Sequence, residues 1–243
     1  MSGGVRAHAA RILRPLRPVL APVRRRLRRT GARDRWTGPD AAAIHRETPI
    51  HVISEAEFAR VAATRPEYYR GRRGYISAAV SIADELIGRR RLRTALELGP
   101  HRRPLVIGAD VMERRAPVGL EDVGTVIVHD ATQVPWPIPA KTYDLFIALQ
   151  VFEHLEGQQA DAFLEVRRVA RHAIVSLPID WTMTDPTNAH HQLSDTKVRS
   201  WFAPVEPTRI VTGNEAPGKR LLYVFEDLPP VPLSRPAAST TAR

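Results

Sequence analysis

Polar side chains that close apolar runs are where this chain could do chemistry. Glu97 and Gly99 end one run, Asp110 a second, and His129-Asp130 a third, with Ala131 beside it. A fourth opens at Tyr143-Asp144 and passes through Gln150 to Glu153-His154. Carboxylates so placed accept hydrogen bonds from ammonium or hydroxyl groups, and a glycine lets a ligand approach the backbone. Imidazoles add proton transfer near neutral pH. His154 is one candidate base and His191 another. Glu153-His154 reads equally as a helix-start acid followed by a packing histidine. His190-His191 lies in a loop between Asp185 and Asp195, where it either faces a substrate or is solvated. No metal centre is expected, because adjacent histidines rarely chelate one ion and no third is spaced for it. Trp136, Trp181 and Trp201 are of a type that walls substrate pockets or packs half-buried. Trp181 has the strongest claim to a substrate site and Trp201 reads as packing. Arg102 and Arg103 either meet an anionic substrate or stand in solvent.

The runs that carry these groups are four to eight residues long, apolar or β-branched. That is the pattern of parallel strands buried on both faces. In an open α/β sheet, ligands bind outside the carboxyl ends of the strands. Ser54-Glu55-Ala56-Glu57 has the form of a capping box and predicts a short helix to about Ala63. A helix is expected over 74–91, with Ile76, Ala79, Val80, Ala83 and Ile87 on one face. Another is expected over 157–171, then a fifth strand over 172–178. A short helix over 194–202 has Ser194 as its N-cap, and 208–212 with 220–226 read as a closing hairpin. The folded domain is expected over 40–228, between a tail at 1–39 and a proline-, serine- and threonine-rich tail at 229–243.

Charge separates the first tail from the rest. The net charge is +10, yet residues 1–35 hold eleven arginines and a single acid, Asp34. The remaining 25 basic and 25 acidic side chains cancel. The neutral domain argues against a nucleic-acid groove on its surface. In the tail, Val5, Ala9, Ile12, Leu16, Leu20, Val23 and Leu27 fall at helical spacing, but Pro15, Pro18 and Pro22 interrupt it. Three readings stay open: a disordered arm, a broken amphipathic segment on an anionic membrane surface, and a nucleic-acid contact. An arginine-rich, acid-poor start is also the composition of an organellar transit peptide. There is no cysteine, which excludes disulfides and thiolate chemistry and suits a reducing compartment. A cytoplasmic protein, with a peripheral membrane contact as an option for the arm, is the expectation.

The segments ALELG (95–99), VHDATQVPWP (128–137), YDLFIALQVFEHL (143–155) and FLEVRRVARHAIVSLP (163–178) resemble the class I S-adenosylmethionine-dependent methyltransferases. The resemblance covers roughly residues 70–227. It implies a doubly wound, mostly parallel seven-stranded sheet of Rossmann-like type with an antiparallel edge hairpin. S-adenosylmethionine is the implied cofactor. Gly99 would admit its methionine end and Glu97 would hold its ammonium. Asp110 would take the ribose hydroxyls, Asp130 and Ala131 the adenine edge, and Gln150 would line the pocket. The implied reaction is methyl transfer to oxygen or nitrogen of a small-molecule acceptor, with His190 and Trp181 facing the acceptor. The rivals are a non-catalytic domain that has lost the cofactor and an RNA methyltransferase that uses the basic arm. The chain departs from the family pattern after Gly99. Five residues, two of them proline, separate it from Leu105, so the helix that usually joins the first two strands must be absent or a single turn.

Overall fold

The computed structural model describes residues 50–100, 104–115, 123–181, 189, 193–214 and 219–231. The chain divides into two units, Met1–Trp36 and Thr37–Arg243, and every described residue belongs to the second. The arm at 1–39 and most of the second tail, 232–243, lie outside the described residues.

A short strand β1 (His51–Val52) leads into helices α1 (Glu55–Ala63), α2 (Pro66–Arg70) and α3 (Arg73–Arg90). The capping box forms: Glu57 N–H donates to Ser54 Oγ (3.2 Å), and Ser54 N–H donates to Glu57 Oε2 (2.9 Å). Helix α2 was not expected, although Pro66 at its first turn is a start signal. Helix α3 buries Tyr75, Ala79, Ile82, Ala83 and Leu86, a stripe at 3.6-residue spacing that shares only Ala79 and Ala83 with the expected face; Ile76, Val80 and Ile87 pack half-buried beside it.

Strands β2 (Ala95–Leu98), β4 (Asp110–Glu113), β5 (Val126–Val128), β6 (Tyr143–Leu149), β7 (Ala170–Ile179), β8 (Arg209–Asn214) and β9 (Lys219–Phe225) form one sheet in the order β5-β4-β2-β6-β7-β9-β8. The first five are parallel to one another. Strand β9 runs antiparallel to β7 and to β8. This is the seven-stranded sheet with a reversed edge pair that the sequence implied. Alternate residues of β6 face opposite ways, as a strand's period of two requires. Phe146 and Ala148 join a core with α4 (Gln159–Val169) and α5 (Asp195–Phe202), while Leu145 and Ile147 join a second core under α3.

One expected strand is corrected. The run 105–110 is not a strand ending in Asp110. Gly108 adopts φ +82° and breaks it. The first part, β3 (Val106–Ile107), pairs antiparallel with β1 in a separate two-stranded sheet. The parallel strand β4 then starts at Asp110, which places that carboxylate at the amino end. Between Gly99 and β4 the described residues contain no helix, as the short spacing demanded. No helix among the described residues is long and apolar enough to cross a membrane.

Helix α3 lies flush on β8 because Gly213 has no side chain. A β-carbon there would sit 2.6 Å from Tyr75 Cα and closer still to Tyr75 Cβ. Gly213→Ala should therefore force the helix off the sheet and cost about 1–3 kcal/mol, the usual range for overpacking. Urea unfolding monitored by circular dichroism measures this, and an unchanged midpoint would contradict the packing described.

Candidate functional site

The order of the sheet reverses beside β2: the chain leaves β2 for β4 on one side and returns to β6 on the other. Loops diverge at such a switch point and leave a crevice at the carboxyl ends. A cavity of about 350 Å³ lies there. Its floor is Glu97, Gly99 and Pro100 from the end of β2, with Leu149, Gln150 and Val151 from the end of β6. Helices α1 to α3 and the turns between them supply an aromatic wall that includes Phe58, Tyr68, Tyr69, Arg72 and Tyr75. Trp181, after β7, and Arg220, on β9, close the remaining side. Because β9 is antiparallel, its start lies at the carboxyl end of β7, and Arg220 pairs with Pro178.

Two turns open the floor. Gly99 adopts φ +64° and donates its N–H to Met112 O (3.0 Å). A β-carbon on it would come within 3.0 Å of Val151 Cγ2. Gln150 is left-handed at φ +58°, unusual for a residue with a side chain. Contacts to β7 and β9 hold it there. Its N–H donates to Ser176 O (3.0 Å) and its Nε2 to Ser176 Oγ (3.1 Å), and its Oε1 accepts from Arg220 Nε (3.1 Å).

Two buried acids face the cavity. Glu97 is 4% exposed and accepts the Leu105 N–H at 2.6 Å. Burial pushes its carboxyl up to about 8, against the opposing pull of backbone hydrogen bonds from Leu105 and Val106. Glu153 stands on a 3₁₀ turn, Phe152–His154, with its side chain wholly enclosed. Burial pushes it up to about 8 as well, while a backbone hydrogen bond and the Arg220 charge pull the other way. Both carboxyls are therefore mainly protonated at neutral pH. His154 also lines the cavity, with Nε2 3.9 Å from Glu153 Oε1. Burial pushes its imidazole below the usual range, which keeps it neutral.

Of the residues expected from the sequence, Glu97, Gly99, Gln150, His154 and Trp181 meet at this cavity. Asp110 does not. At the amino end of β4 it accepts the Thr125 N–H (2.6 Å) and the Tyr143 hydroxyl (2.9 Å), so it pins strands together away from the crevice. The acid at the carboxyl end of β4 is Glu113, half-buried and pushed upward by burial. Asp130 and Ala131 follow β5, beyond the cavity lining. Asp130 accepts from Thr132 Oγ1 (2.8 Å) and N (3.1 Å) and pairs with Arg114 Nε at 3.0 Å. These contacts, the Thr132 hydrogen bonds foremost, hold its carboxyl below the usual carboxylate range. The Ala131 carbonyl accepts from Trp136 Nε1 (3.1 Å), and Trp136 is core, stacked on Phe146. Trp201 packs against the same core. His190, His191, Arg102 and Arg103 lie outside the described residues. No group of side chains able to hold a metal occurs among the described residues.

Sequence reasoning missed Arg220, Arg72, Tyr75 and Glu113. Arg220 carried a signal, as a cation opening the apolar run RLLYVF in a strand that must be buried. Glu113 followed a run that looked finished at Asp110. The tyrosines were hidden in a segment whose role is visible only once α3 is laid on the sheet.

No family model matches the chain, and no curated protein matches it. Solved structures similar to it include a SAM-dependent methyltransferase from Aquifex aeolicus, at 13% identity over 54% of this chain and 80% of that one, TM-score 0.39. Another is the bifunctional kinase-methyltransferase WbdD, at 15% identity and TM-score 0.45; 63% of this chain matches 39% of that longer one. A third is the N-terminal domain of EvdMO1 with SAH bound, at 11% identity over 63% and 80%, TM-score 0.43. Likeness at these levels leaves function to be argued from the site.

The buried acids couple stability to pH. With both carboxyls raised from 4.5 to about 8, the folded chain keeps protons that the unfolded chain has released. Their contribution is full below about 4.5 and is lost as pH rises to about 8. Glu153→Gln, which stays neutral, should flatten this decline. Relative to wild type, its thermal midpoint should rise by at least about 2 °C between pH 5 and pH 8.5. Parallel profiles for the two proteins would show that the acid is not held neutral.

Proposed function

We propose that this protein transfers a methyl group from S-adenosylmethionine to oxygen or nitrogen of a small molecule. The observation that supports this reading best is the crevice at the switch point, where Gly99 bares its backbone beside the buried Glu97. The donor set suits the cofactor. Glu97 would accept an ammonium group, which would draw the proton off its carboxyl. Glu113, and not Asp110, ends the strand next to β2 and suits the ribose hydroxyls. Asp130 and Ala131 follow the next strand, where the adenine edge would lie. A site for a dinucleotide uses a helix N-terminus against its phosphates. S-adenosylmethionine has no phosphate, so a link from β2 to β4 without a helix is no obstacle to it.

The bound cofactor supplies a methyl group on a sulfonium, already activated toward a nucleophile. The chain's own work is to align and to exclude water. Alignment of two reactants supplies about 7–11 kcal/mol of a barrier. The aromatic wall from α1 to α3 covers the crevice, and Gln150 is locked between β7 and β9 at its floor. His154, neutral and half-exposed at the rim, can take a proton from a hydroxyl or ammonium acceptor. The lost-cofactor alternative rests on the shortened link after Gly99, and the same experiment decides it.

Calorimetric titration of S-adenosylhomocysteine into the full chain should give roughly micromolar binding, about −8 kcal/mol. Gly99→Val, which fills the backbone approach, should abolish it. Glu113→Gln should weaken it about 10- to 100-fold, the scale of a charge-assisted hydrogen bond. Wild-type protein that binds neither this ligand nor S-adenosylmethionine would end the methyl-transfer reading.

A further inference from the structure

Arg220 is the feature of the cavity that methyl donation leaves unused. It is 5% exposed, yet its side chain faces an open space. Its guanidinium lies over two rings, 4.5 Å from the centroid of Trp181 and 5.1 Å from that of Tyr75. Among the described residues its hydrogen bonds end on neutral oxygens: Nε donates to Gln150 Oε1 (3.1 Å) and Nη1 to Gly71 O (3.0 Å). Trp181 is itself fixed, its Nε1 donating to Lys219 O at 2.9 Å. The fork is thus pinned through Nε and Nη1, with its central carbon over both rings. A second guanidinium stands nearby on the wall. Arg72 lies 3.9 Å over the Tyr68 ring and donates to Tyr68 O (2.7 Å).

The acids of the cavity do not balance these two cations at neutral pH, because burial keeps Glu97 and Glu153 mainly protonated. A guanidinium withdrawn from water without a carboxylate is costly, and an entering anion relieves that cost. Arg is also the side chain whose planar fork matches a carboxylate. The rest of the wall is apolar or aromatic, with Ile53, Phe58, Val61 and Tyr69 among it.

We propose that the methyl acceptor carries a carboxylate on an apolar or aromatic body, with that charge seated on Arg220 and the body against the α1–α3 wall, while another oxygen or nitrogen of the same molecule takes the methyl from sulfur and passes its proton to His154. This rests on the methyl-transfer reading and names the substrate class for it. The donor carries a carboxylate too, and the titrations below, with and without S-adenosylhomocysteine, separate the two sources. Arg220 stands on the third strand from β2, counted through β6 and β7. Strands lie about 4.8 Å apart, so its backbone is about 14 Å along the sheet from the Gly99 turn, while its guanidinium reaches back as far as Gln150 after β6, the neighbour of β2. The donor's amino-acid end belongs at that turn and the acceptor's charge at Arg220.

The test is calorimetric, on the full chain at neutral pH. Benzoate, phenylacetate and hexanoate are each titrated against the corresponding primary amide, with and without saturating S-adenosylhomocysteine. Wild type, Arg220→Gln and Arg220→Lys are compared. At least one carboxylate should outbind its amide by about tenfold or more. That preference should vanish in R220Q and survive in weakened form in R220K, and each variant should lose more affinity for the carboxylate than for S-adenosylhomocysteine. If no carboxylate outbinds its amide in wild type, the proposal is overturned, and that comparison needs no variant to fold. If R220Q loses S-adenosylhomocysteine and keeps the carboxylate preference, Arg220 serves the donor and the proposal is overturned. Absent S-adenosylhomocysteine binding with an intact carboxylate preference would remove methyl transfer and leave an anion site. The reverse would remove the site and leave methyl transfer.

Discussion

Strand β7 cannot leave its backbone unpaired, and most of the molecule follows from that. It is buried along nearly its whole length, with a hydrophobic core on each face, so no water reaches its amides. Strand β6 satisfies one edge and β9 the other, in register from Ala173–Phe225 to Ile179–Lys219. That register decides which face each residue of β9 meets. Leu222 and Val224 turn toward α3, and Arg220 shares their face. Leu221, Tyr223 and Phe225 turn toward the aromatic cluster around Phe163 and Phe202. A slip of one residue would drive the guanidinium into that cluster. The polar wall of the cavity is therefore fixed by main-chain pairing.

The buried polar groups divide by what surrounds them. Glu165 accepts the Trp136 N–H and pairs with Arg168, which in turn binds the Trp136 and Ile138 carbonyls. Lys141 donates to the carbonyls of Arg167, Ala170 and Leu228 and so ties the end of α4 to the far end of the domain. These clusters are closed and hold elements together. Glu97, Glu153 and Arg220 border open space. A closed cluster leaves no room for a ligand, whereas a buried polar group beside open space has the room that a ligand site needs.

Much of this was legible in the sequence wherever one local rule sufficed. The capping box at Ser54, the period of α3, the apolar blocks of β2, β6 and β7 and the closing hairpin each announce themselves within a few residues. The error at Asp110 came from reading an apolar run as one strand, when Gly108 at a positive φ divides it between two sheets. Periodicity cannot tell a single strand from two short ones end to end. A glycine inside the run was the available warning. Of the site, Glu97, Gly99 and Gln150 were accessible because they sit at strand ends. Arg220 and Tyr75 were not, because only tertiary contact brings them together.

The Arg220 hydrogen bond to Gly71 joins residues 149 positions apart. Translation delivers the helical wall well before β9, and domains tend to fold as units as they emerge. A ribosome-bound chain that stops short of β9 has β7 with one bare edge and a crevice with no cation in it. The cation of the pocket thus arrives only with β9, the last strand among the described residues, and intermediates of synthesis display the aromatic wall without it.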